Sequence, residues 1–201
     1  MTGSLYIVSA ASGTGKTSLN HAVIEQMDNI KMSVAYTTRP ARVDEIDGVD
    51  YSFVSIDEFE KRIEADEFLE YANVFGHYYG TSKQRVAADL KKGLDVILEI
   101  DWQGARTVRK KMLDTISVFI LPPSRKILQE RLTGRNQDDD EVIARRLKMA
   151  GEEIAHCVEY DYLVVNADFA IALEDLKAIV RAGRCRRDKL QTAWKKLIDK
   201  G

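Results

Sequence analysis

Short apolar runs alternate with amphipathic segments along most of the chain. Four runs, at residues 5–9, 96–100, 117–121 and 162–165, lack polar alternation, which is typical of strands covered on both faces in a parallel sheet. Between them, apolar residues recur at helical spacing in residues 17–26, 83–92 and 173–180. This order predicts an α/β fold, in which a doubly wound parallel sheet carries helices on both faces.

Two segments interrupt this rhythm. Residues 33–82 contain extended pieces at 34–38, 51–54 and 71–75 around one acidic helix, and residues 124–150 are dominated by Arg, Asp and Glu. We interpret both as insertions over the open edge of a single domain. The core is then expected to consist of residues 1–32, 83–123 and 151–201.

Composition narrows the class of protein. A chain of 201 residues suits one compact domain, and 30 Lys and Arg against 32 Asp and Glu give a net charge of −2. That balance excludes a globally basic nucleic-acid binder. No apolar run approaches the length of a membrane span, and the first residues lack the positive start of a signal peptide. Cys157 and Cys185 have no metal-ligand spacing and are expected to be ordinary thiols of a cytoplasmic protein.

The segment between the first strand and the first helix carries the clearest chemical signal. Small residues let successive backbone N–H groups point at phosphate oxygens, a lysine can reach the β- and γ-phosphates, and a hydroxyl can ligate Mg²⁺. The strict P-loop pattern has glycine where this chain has Ala10. The alternative is a small-residue turn with a surface lysine, but spacing and context favour a P-loop. Its residues are Ala10, Ala11, Ser12, Gly13, Thr14, Gly15, Lys16 and Thr17.

Two arginines follow on a predicted loop. Arg39 and Arg42 flank Pro40, which disfavours helix, so their guanidinium groups are presented from extended chain. Planar forks on a loop suit bidentate capture of a phosphate dianion. Two loop arginines are also often no more than solvated surface, and the residues alone leave both interpretations open.

Six motifs, taken together and in order, resemble the guanylate kinase family. The P-loop is followed by Thr-Thr-Arg-x-x-Arg, Gly-x-Asp-Tyr-x-Phe, Phe-Leu-Glu-Tyr-Ala, Tyr-Tyr-Gly-Thr and Asp-Trp-Gln-Gly, so that the resemblance spans essentially the whole chain. It implies a P-loop NTPase core, with residues 33–82 as an inserted GMP-binding subdomain and residues 124–150 as a helical lid. It also implies ATP-dependent phosphorylation of GMP to GDP in purine nucleotide metabolism, with dGMP as a second acceptor.

The same resemblance assigns roles residue by residue. The P-loop and Asn166 match the ATP site, and Mg²⁺ bound with ATP is expected at Thr17, with Glu99 or Asp101 acting through water. Guanine presents N1–H and N2–H₂ as adjacent donors, which one carboxylate can accept together. The matching GMP-binding residues are Arg39, Arg42, Tyr51 and Tyr79 at the phosphate, and Glu70, Thr81 and Asp101 at the base. The matching catalytic residues are Lys16, Arg39, Arg131, Arg135 and Arg146.

Several of these residues also have plainer interpretations. Tyr51 can simply cover a small sheet, Glu70 can belong to a solvated acidic face, and Thr81 or Ser82 can cap the next helix. Strand alternation predicts Glu99 and Asp101 on one face, where they can organise metal-bound water, with Asp101 the preferred metal partner. The alternative for Glu99 is that it only orients a basic neighbour.

The chain departs from the family at two positions. Ala35 stands where the family usually has a serine contacting guanine. Either Tyr36, a water or a neighbouring hydroxyl replaces that contact, or the affinity for guanine is weaker. Asn136 follows Arg135 where the family has glycine. Gly134 is expected to end one helix, and Asp138 with Glu141 to begin the next.

Two other functions compete with this one. A related P-loop kinase acting on a phosphorylated sugar would not need the Glu70 region. A protein-binding module of the same fold could dispense with Lys16, Thr17 and the lid arginines, all of which this chain has. The expected partners are therefore ATP and GMP, with neither nucleic acid nor membrane. A homo-oligomer is left open.

Overall fold

The computed structural model describes residues 2–74, 76–133, 140–187, 189, 190, 195 and 198, and for 140–144 the backbone alone. Its strands are β1 (Leu5–Ala10), β2 (Ile30–Met32), β3 (Ala35–Thr37), β4 (Tyr51–Phe53), β5 (Phe68–Val74), β6 (His77–Ser82), β7 (Asp95–Glu99), β8 (Ile116–Leu121) and β9 (Tyr162–Val165). Its α-helices are α1 (Lys16–Gln26), α2 (Ile56–Glu64), α3 (Lys83–Lys91), α4 (Trp102–Lys111), α5 (Arg125–Thr133), α6 (Asp140–Ala155) and α7 (Phe169–Arg184), and a 3₁₀ turn spans His156–Glu159.

The larger sheet is parallel and has five strands in the order β2-β7-β1-β8-β9. Four of them are the predicted apolar runs, which are confirmed. Side chains on opposite faces of β1 enter two separate clusters: Val8 packs with Leu19 of α1 and Leu176 of α7, whereas Ile7 packs with Val108 of α4. Because helices cover both faces, the sheet is doubly wound, as predicted.

A smaller mixed sheet lies within residues 35–82, with the order β4-β3-β6-β5. Strand β3 pairs in parallel with β4 and antiparallel with β6, and β5 is antiparallel to β6. Its core is aromatic and contains Phe59 of α2, which stacks on Phe68 of β5 at 4.5 Å between ring centroids. A Cβ at Gly80 would stand 2.9 Å from both rings, so only glycine fits this point of β6.

The structure corrects one sequence-based expectation about the strand that precedes Asp101. Strand β7 ends at Glu99, and Asp101 lies beyond it as the N-cap of α4, accepting the Gly104 N–H at 2.8 Å. Strand alternation therefore does not govern Asp101, and the two carboxylates have different neighbours.

Other boundaries also differ from expectation. Helix α7 is twice as long as its apolar stripe, because Asp168 caps it at Ala170 and Ile171. Ser82, one of the two alternatives, caps α3. Helix α2 ends before Glu70, which lies in β5 and is buried rather than on a solvated acidic face. Within the described part of the chain, none of the helices is both long enough and apolar enough to cross a bilayer.

Candidate active site

The loop between β1 and α1 is built for close approach of an anion. Gly13 and Gly15 have φ of 84° and 90°, a conformation that favours glycine. Gly15 is also the N-cap of α1 and provides no capping side chain, so the helix begins with its backbone N–H groups available to a ligand. Ala10 is the last residue of β1 and has a negative φ, so its methyl group is accommodated where the strict pattern has glycine.

A cavity of about 320 Å³ lies over this loop and contains two carboxylates. Glu99 accepts the Thr17 hydroxyl at 2.6 Å and the Asn20 amide at 2.8 Å, and its Oε1 lies 3.8 Å from Lys16 Nζ. Glu153 of α6 is the second carboxylate that lines this cavity. Burial raises the pKa of Glu153, while the Ser12 hydrogen bond and the charge of Lys16 oppose that rise. Hydroxyl and carboxylate oxygens are suitable Mg²⁺ ligands.

That donor set fits a metal bound chiefly through nucleotide phosphates. Among the described residues, no group of three His, Cys, Asp or Glu side chains could hold a metal ion alone. Mg²⁺ usually keeps several waters and takes one or two protein oxygens together with substrate phosphates. Thr17 and Glu99 are the two protein groups available for this role.

A second cavity, of about 630 Å³, opens beside the P-loop at Asn166. Asn166 is buried and donates its side-chain N–H to the Thr14 carbonyl at 2.7 Å, while Arg131 donates to the Asn166 carbonyl at 3.0 Å. A Cβ at Gly15 would stand 2.6 Å from the Asn166 amide nitrogen. Asn166 therefore fixes the P-loop from the end of β9, and Arg131 of α5 is hydrogen-bonded to the same residue.

The arginine–tyrosine cluster forms at one end of the smaller sheet. The guanidinium carbon of Arg39 lies 5.5 Å from the centre of the Tyr51 ring, and the pKa of Arg39 is raised first by Glu45 and further by Tyr79. The rings of Tyr51 and Tyr79 are 6.0 Å apart. Arg42 extends from the same loop with its side chain exposed. The structure brings together Arg39, Tyr51 and Tyr79, with Arg42 at the edge.

A buried carboxylate lies further along the same sheet. Glu70 of β5 is 6% exposed and accepts the Thr81 hydroxyl of β6 at 2.5 Å. Burial raises its pKa to about 7, the Thr81 hydrogen bond opposes the rise, and the charge of Asp101 adds to it. A Cβ at Gly104 would stand 2.9 Å from Glu70 Oε2, so the glycine of Asp-Trp-Gln-Gly lets α4 approach this carboxylate.

Comparison with known proteins identifies the family to which these features belong. The family model described as guanylate kinase matches residues 2–183. The chain is 52% identical over 197 residues to the guanylate kinase of Pseudomonas fluorescens (strain Pf0-1), covering 98% of this chain and 96% of the relative. It is 54% identical over 189 residues to that of Alkalilimnicola ehrlichii, covering 94% and 93%. The crystal structure of guanylate kinase from Anaplasma phagocytophilum superposes with a TM-score of 0.75 at 33% identity, covering 96% of each chain.

The chain belongs to the guanylate kinase family. Ala35 still departs from the family's pattern, and the structure shows that one of the groups expected to replace the missing serine hydroxyl, that of Tyr36, does not do so. The Tyr36 ring is buried against Phe68 and lies between the guanidinium groups of Arg62 and Arg85, at 4.6 and 4.4 Å. Tyr36 is therefore part of the core of the smaller sheet and does not supply the missing hydroxyl.

The guanylate kinase lid arginines are described in part. Arg131 lies on α5 beside Asn166, and Arg146 lies half-buried on α6. Arg135, Gly134, Asn136 and Asp138 lie outside the described residues, so the expectations about them stay predictions.

Two site residues were missed by sequence reasoning. Glu153 lies in a helix whose acidic residues look alike in sequence, and no pattern singles it out. Asn20 fixes Glu99 from α1, and its position four residues after Lys16, on the same side of the helix, is the one signal that could have revealed it.

Proposed function

We propose that this guanylate kinase family member transfers the γ-phosphoryl group of ATP to GMP, producing ADP and GDP, and that it also accepts dGMP. The observation that carries the proposal is the arrangement of β6. Tyr79, whose ring lies 6.0 Å from that of Tyr51 beside Arg39, and Thr81, which donates to Glu70, are two residues apart and share one face of the strand. Their spacing of about 7 Å along the strand suits the phosphate and base ends of one mononucleotide.

The acceptor is bound at both of those ends. Arg39, Arg42, Tyr51 and Tyr79 hold the GMP phosphate, because arginine forks and phenolic hydroxyls donate hydrogen bonds to its oxygens. Glu70, when ionised, accepts the N1–H and N2–H₂ of guanine, with Thr81 and Asp101 beside it. Adenine has an acceptor at N1, so the same carboxylate would repel AMP.

The donor is held by the P-loop. Residues 10–17 bind the ATP phosphates through backbone N–H groups, Lys16 neutralises charge at the β- and γ-phosphates, and Asn166 borders the nucleoside. Thr17, oriented by Glu99, would hold the Mg²⁺ bound with ATP, and that ion would neutralise charge on the transferring group. The hydrogen bond between Thr17 and Glu99 supports Glu99 over Asp101, whose carboxylate accepts the Gly104 N–H as the cap of α4.

The transfer itself requires positioning and charge neutralisation. The attacking GMP phosphate oxygen is ionised at neutral pH, so no general base is needed. Arg39 keeps it in line, and Arg131, Arg135 and Arg146 approach the transferring group when residues 124–150 close. Closure also excludes water, which limits ATP hydrolysis. Residues 33–82 act as the GMP-binding subdomain, and residues 1–32, 83–123 and 151–201 as the core.

A coupled assay of ADP release with GMP, dGMP, IMP, AMP and ribose 5-phosphate tests this function. GMP and dGMP should be turned over, and AMP and the sugar phosphate should not. IMP lacks the 2-amino group, so its loss of one hydrogen bond to a charged partner should cost about 1.5–3 kcal/mol in kcat/KM. ADP release that does not depend on GMP would contradict the proposal.

The two cysteines bear on the cellular compartment of the protein. Cys157 and Cys185 are free thiols, which supports a reducing compartment such as the cytoplasm. A homo-oligomer is compatible with the proposed function, and sedimentation at assay concentration would measure the oligomeric state.

A further inference from the structure

The loop that carries the two acceptor-site arginines also carries a carboxylate without an assigned role. Glu45 accepts hydrogen bonds from Arg39 Nη2 at 2.7 and 2.9 Å, one to each carboxylate oxygen. Its Oε2 also accepts the backbone N–H of Arg42 at 2.8 Å. The Glu45 carboxylate is therefore hydrogen-bonded to both arginines, to the side chain of Arg39 and to the backbone of Arg42.

The loop is closed around this carboxylate in both directions. The Glu45 backbone N–H donates to the Arg42 carbonyl at 3.1 Å, while the Arg42 N–H donates to the Glu45 side chain. Reciprocal bonds of this kind fix a short turn, as in a helix capping box. The hydrogen bond from Arg39, and after it the one from the Arg42 backbone, lower the pKa of Glu45. Glu45 is therefore ionised at neutral pH.

The Arg39 guanidinium is held on its other sides as well. Its Nη1 donates to the Pro40 carbonyl at 2.8 Å, and it lies near the rings of Tyr51 and Phe53, at 5.5 and 5.9 Å. The side chains of Arg39 and Glu45 are only 15% and 17% exposed. A long side chain held at this many points has lost its rotamer freedom before a ligand arrives, which lowers the entropic cost of binding.

We propose that Glu45 is a positioning residue for the acceptor phosphate, which holds the Arg39 fork and the Arg42 backbone in the geometry that binds the GMP phosphate. The inference rests on the proposed function, in which these two arginines hold that phosphate. Glu45 itself does not touch the substrate. It engages one terminal nitrogen of a guanidinium that has five N–H donors, so donors remain for phosphate oxygens.

A competing role for the same carboxylate would have the opposite sign. If Glu45 occupied the place of the phosphate, GMP would have to displace it, and removing its charge would tighten GMP binding. The reciprocal bonds with Arg42 argue for a fixed part of the loop, because a displaceable group would have to break the turn that it closes.

The test compares Glu45→Gln and Glu45→Ala with the unaltered chain. Gln keeps the shape but replaces one acceptor oxygen by an N–H₂ that faces the Arg39 donors. We expect KM for GMP to rise about tenfold, with kcat and the KM for ATP changed less than about twofold. Calorimetric binding of guanosine, which has the base and ribose but no phosphate, should be unchanged, and this separates the phosphate contact from the rest of the subdomain.

Glu58→Gln is the matched control. Glu58 forms an ion pair of the same length, 2.7 Å, with Arg62 on α2 of the same subdomain, away from the arginine–tyrosine cluster. It should leave GMP and guanosine binding unchanged. Tighter GMP binding by Glu45→Gln, no change in GMP binding, or equal weakening of GMP and guanosine would each overturn the proposal. Failure of the unaltered chain to phosphorylate GMP would instead overturn the proposed function.

Discussion

Thr17 donates its hydroxyl hydrogen to Glu99 at 2.6 Å, and this bond joins the first turn of α1 to the end of β7. With its hydrogen committed to Glu99, the Thr17 oxygen keeps its lone pairs for a cation. The second carboxylate oxygen of Glu99 is held by Asn20 at 2.8 Å, so the orientation of the pair is fixed from both sides.

We predict that Glu99→Gln weakens the response to Mg²⁺. The amide cannot accept from both Thr17 and Asn20 with equal strength and carries no charge, so the half-saturating Mg²⁺ concentration should rise about tenfold. A Mg²⁺ titration of turnover measures this, and calorimetric binding of GMP without metal should be unchanged. The control is Asp101→Asn. A Mg²⁺ effect in that variant and none in Glu99→Gln would reverse the assignment.

The pKa of Glu70, near 7 in the free protein, predicts that GMP binding releases protons. The base requires the ionised carboxylate, and below about pH 7 much of Glu70 is protonated, so affinity should rise from pH 6 to pH 8. Guanosine is the better ligand for the measurement because it has no phosphate that titrates in this range. Calorimetry in buffers of different ionisation enthalpy should detect proton uptake by the buffer at pH 6.5 and little at pH 8.5. Binding that does not depend on pH would contradict the raised pKa.

The same carboxylate should lower the stability of the free protein at high pH. The folded-state pKa lies above its ordinary value of 4.5, so folding favours the protonated form. The stabilisation is complete below pH 4.5 and is lost as the pH rises through 7. The difference between about 7 and 4.5 corresponds to roughly 3 kcal/mol of unfolding free energy.

Glu70→Gln removes this titration while keeping an acceptor for Thr81. We therefore expect the variant to be more stable than the unaltered chain at pH 8, by up to roughly 3 kcal/mol, with the difference shrinking toward pH 5. Urea unfolding at the two pH values measures it. A difference that is the same at both would show that the titration of Glu70 is not its origin. The variant should also lose guanine selectivity, so this side chain is retained for function at a cost in stability.

The parts of the fold that the sequence predicts are those in which local pattern and burial coincide. The central strands β1, β7 and β8 of the larger sheet contain continuous apolar runs because both of their faces are covered, and the P-loop combines a strand, glycines and a helix start. Strand β6 (His-Tyr-Tyr-Gly-Thr-Ser) and helix α4 were not predicted, since one is polar on its ligand-facing side and the other is rich in Arg and Lys. Both border the candidate site, where function overrides apolar patterning.

The sequence predicted many residues of the site but missed others, and it did not predict their contacts. Glu45 and Glu153 depend on where loops and helices meet in space, which spacing along the chain does not specify. The different neighbours of Glu99 and Asp101 depend on a strand that ends before Asp101, and strand ends are the least predictable feature of such patterns.

Gly80 links the packing of the smaller sheet to the binding of the acceptor. It lies in β6 between Tyr79 and Thr81, and a methyl group there would meet the Phe59 and Phe68 rings at 2.9 Å. Both rings are buried, so they cannot move aside without disturbing the aromatic core. We predict that Gly80→Ala destabilises the protein by about 1–3 kcal/mol and raises KM for GMP more than KM for ATP.

Gly151→Ala is the matched control, because Gly151 is exposed on α6 and nothing lies within 4 Å of the position its Cβ would take. Alanine there should stabilise the protein by about 0.5–1 kcal/mol, since glycine is unfavourable inside a helix. Urea unfolding and steady-state kinetics on both variants make the comparison. Equal effects of Gly80→Ala on the two KM values would show that the strain spreads to the P-loop core, because a strain confined to β6 should disturb only the residues that bind GMP.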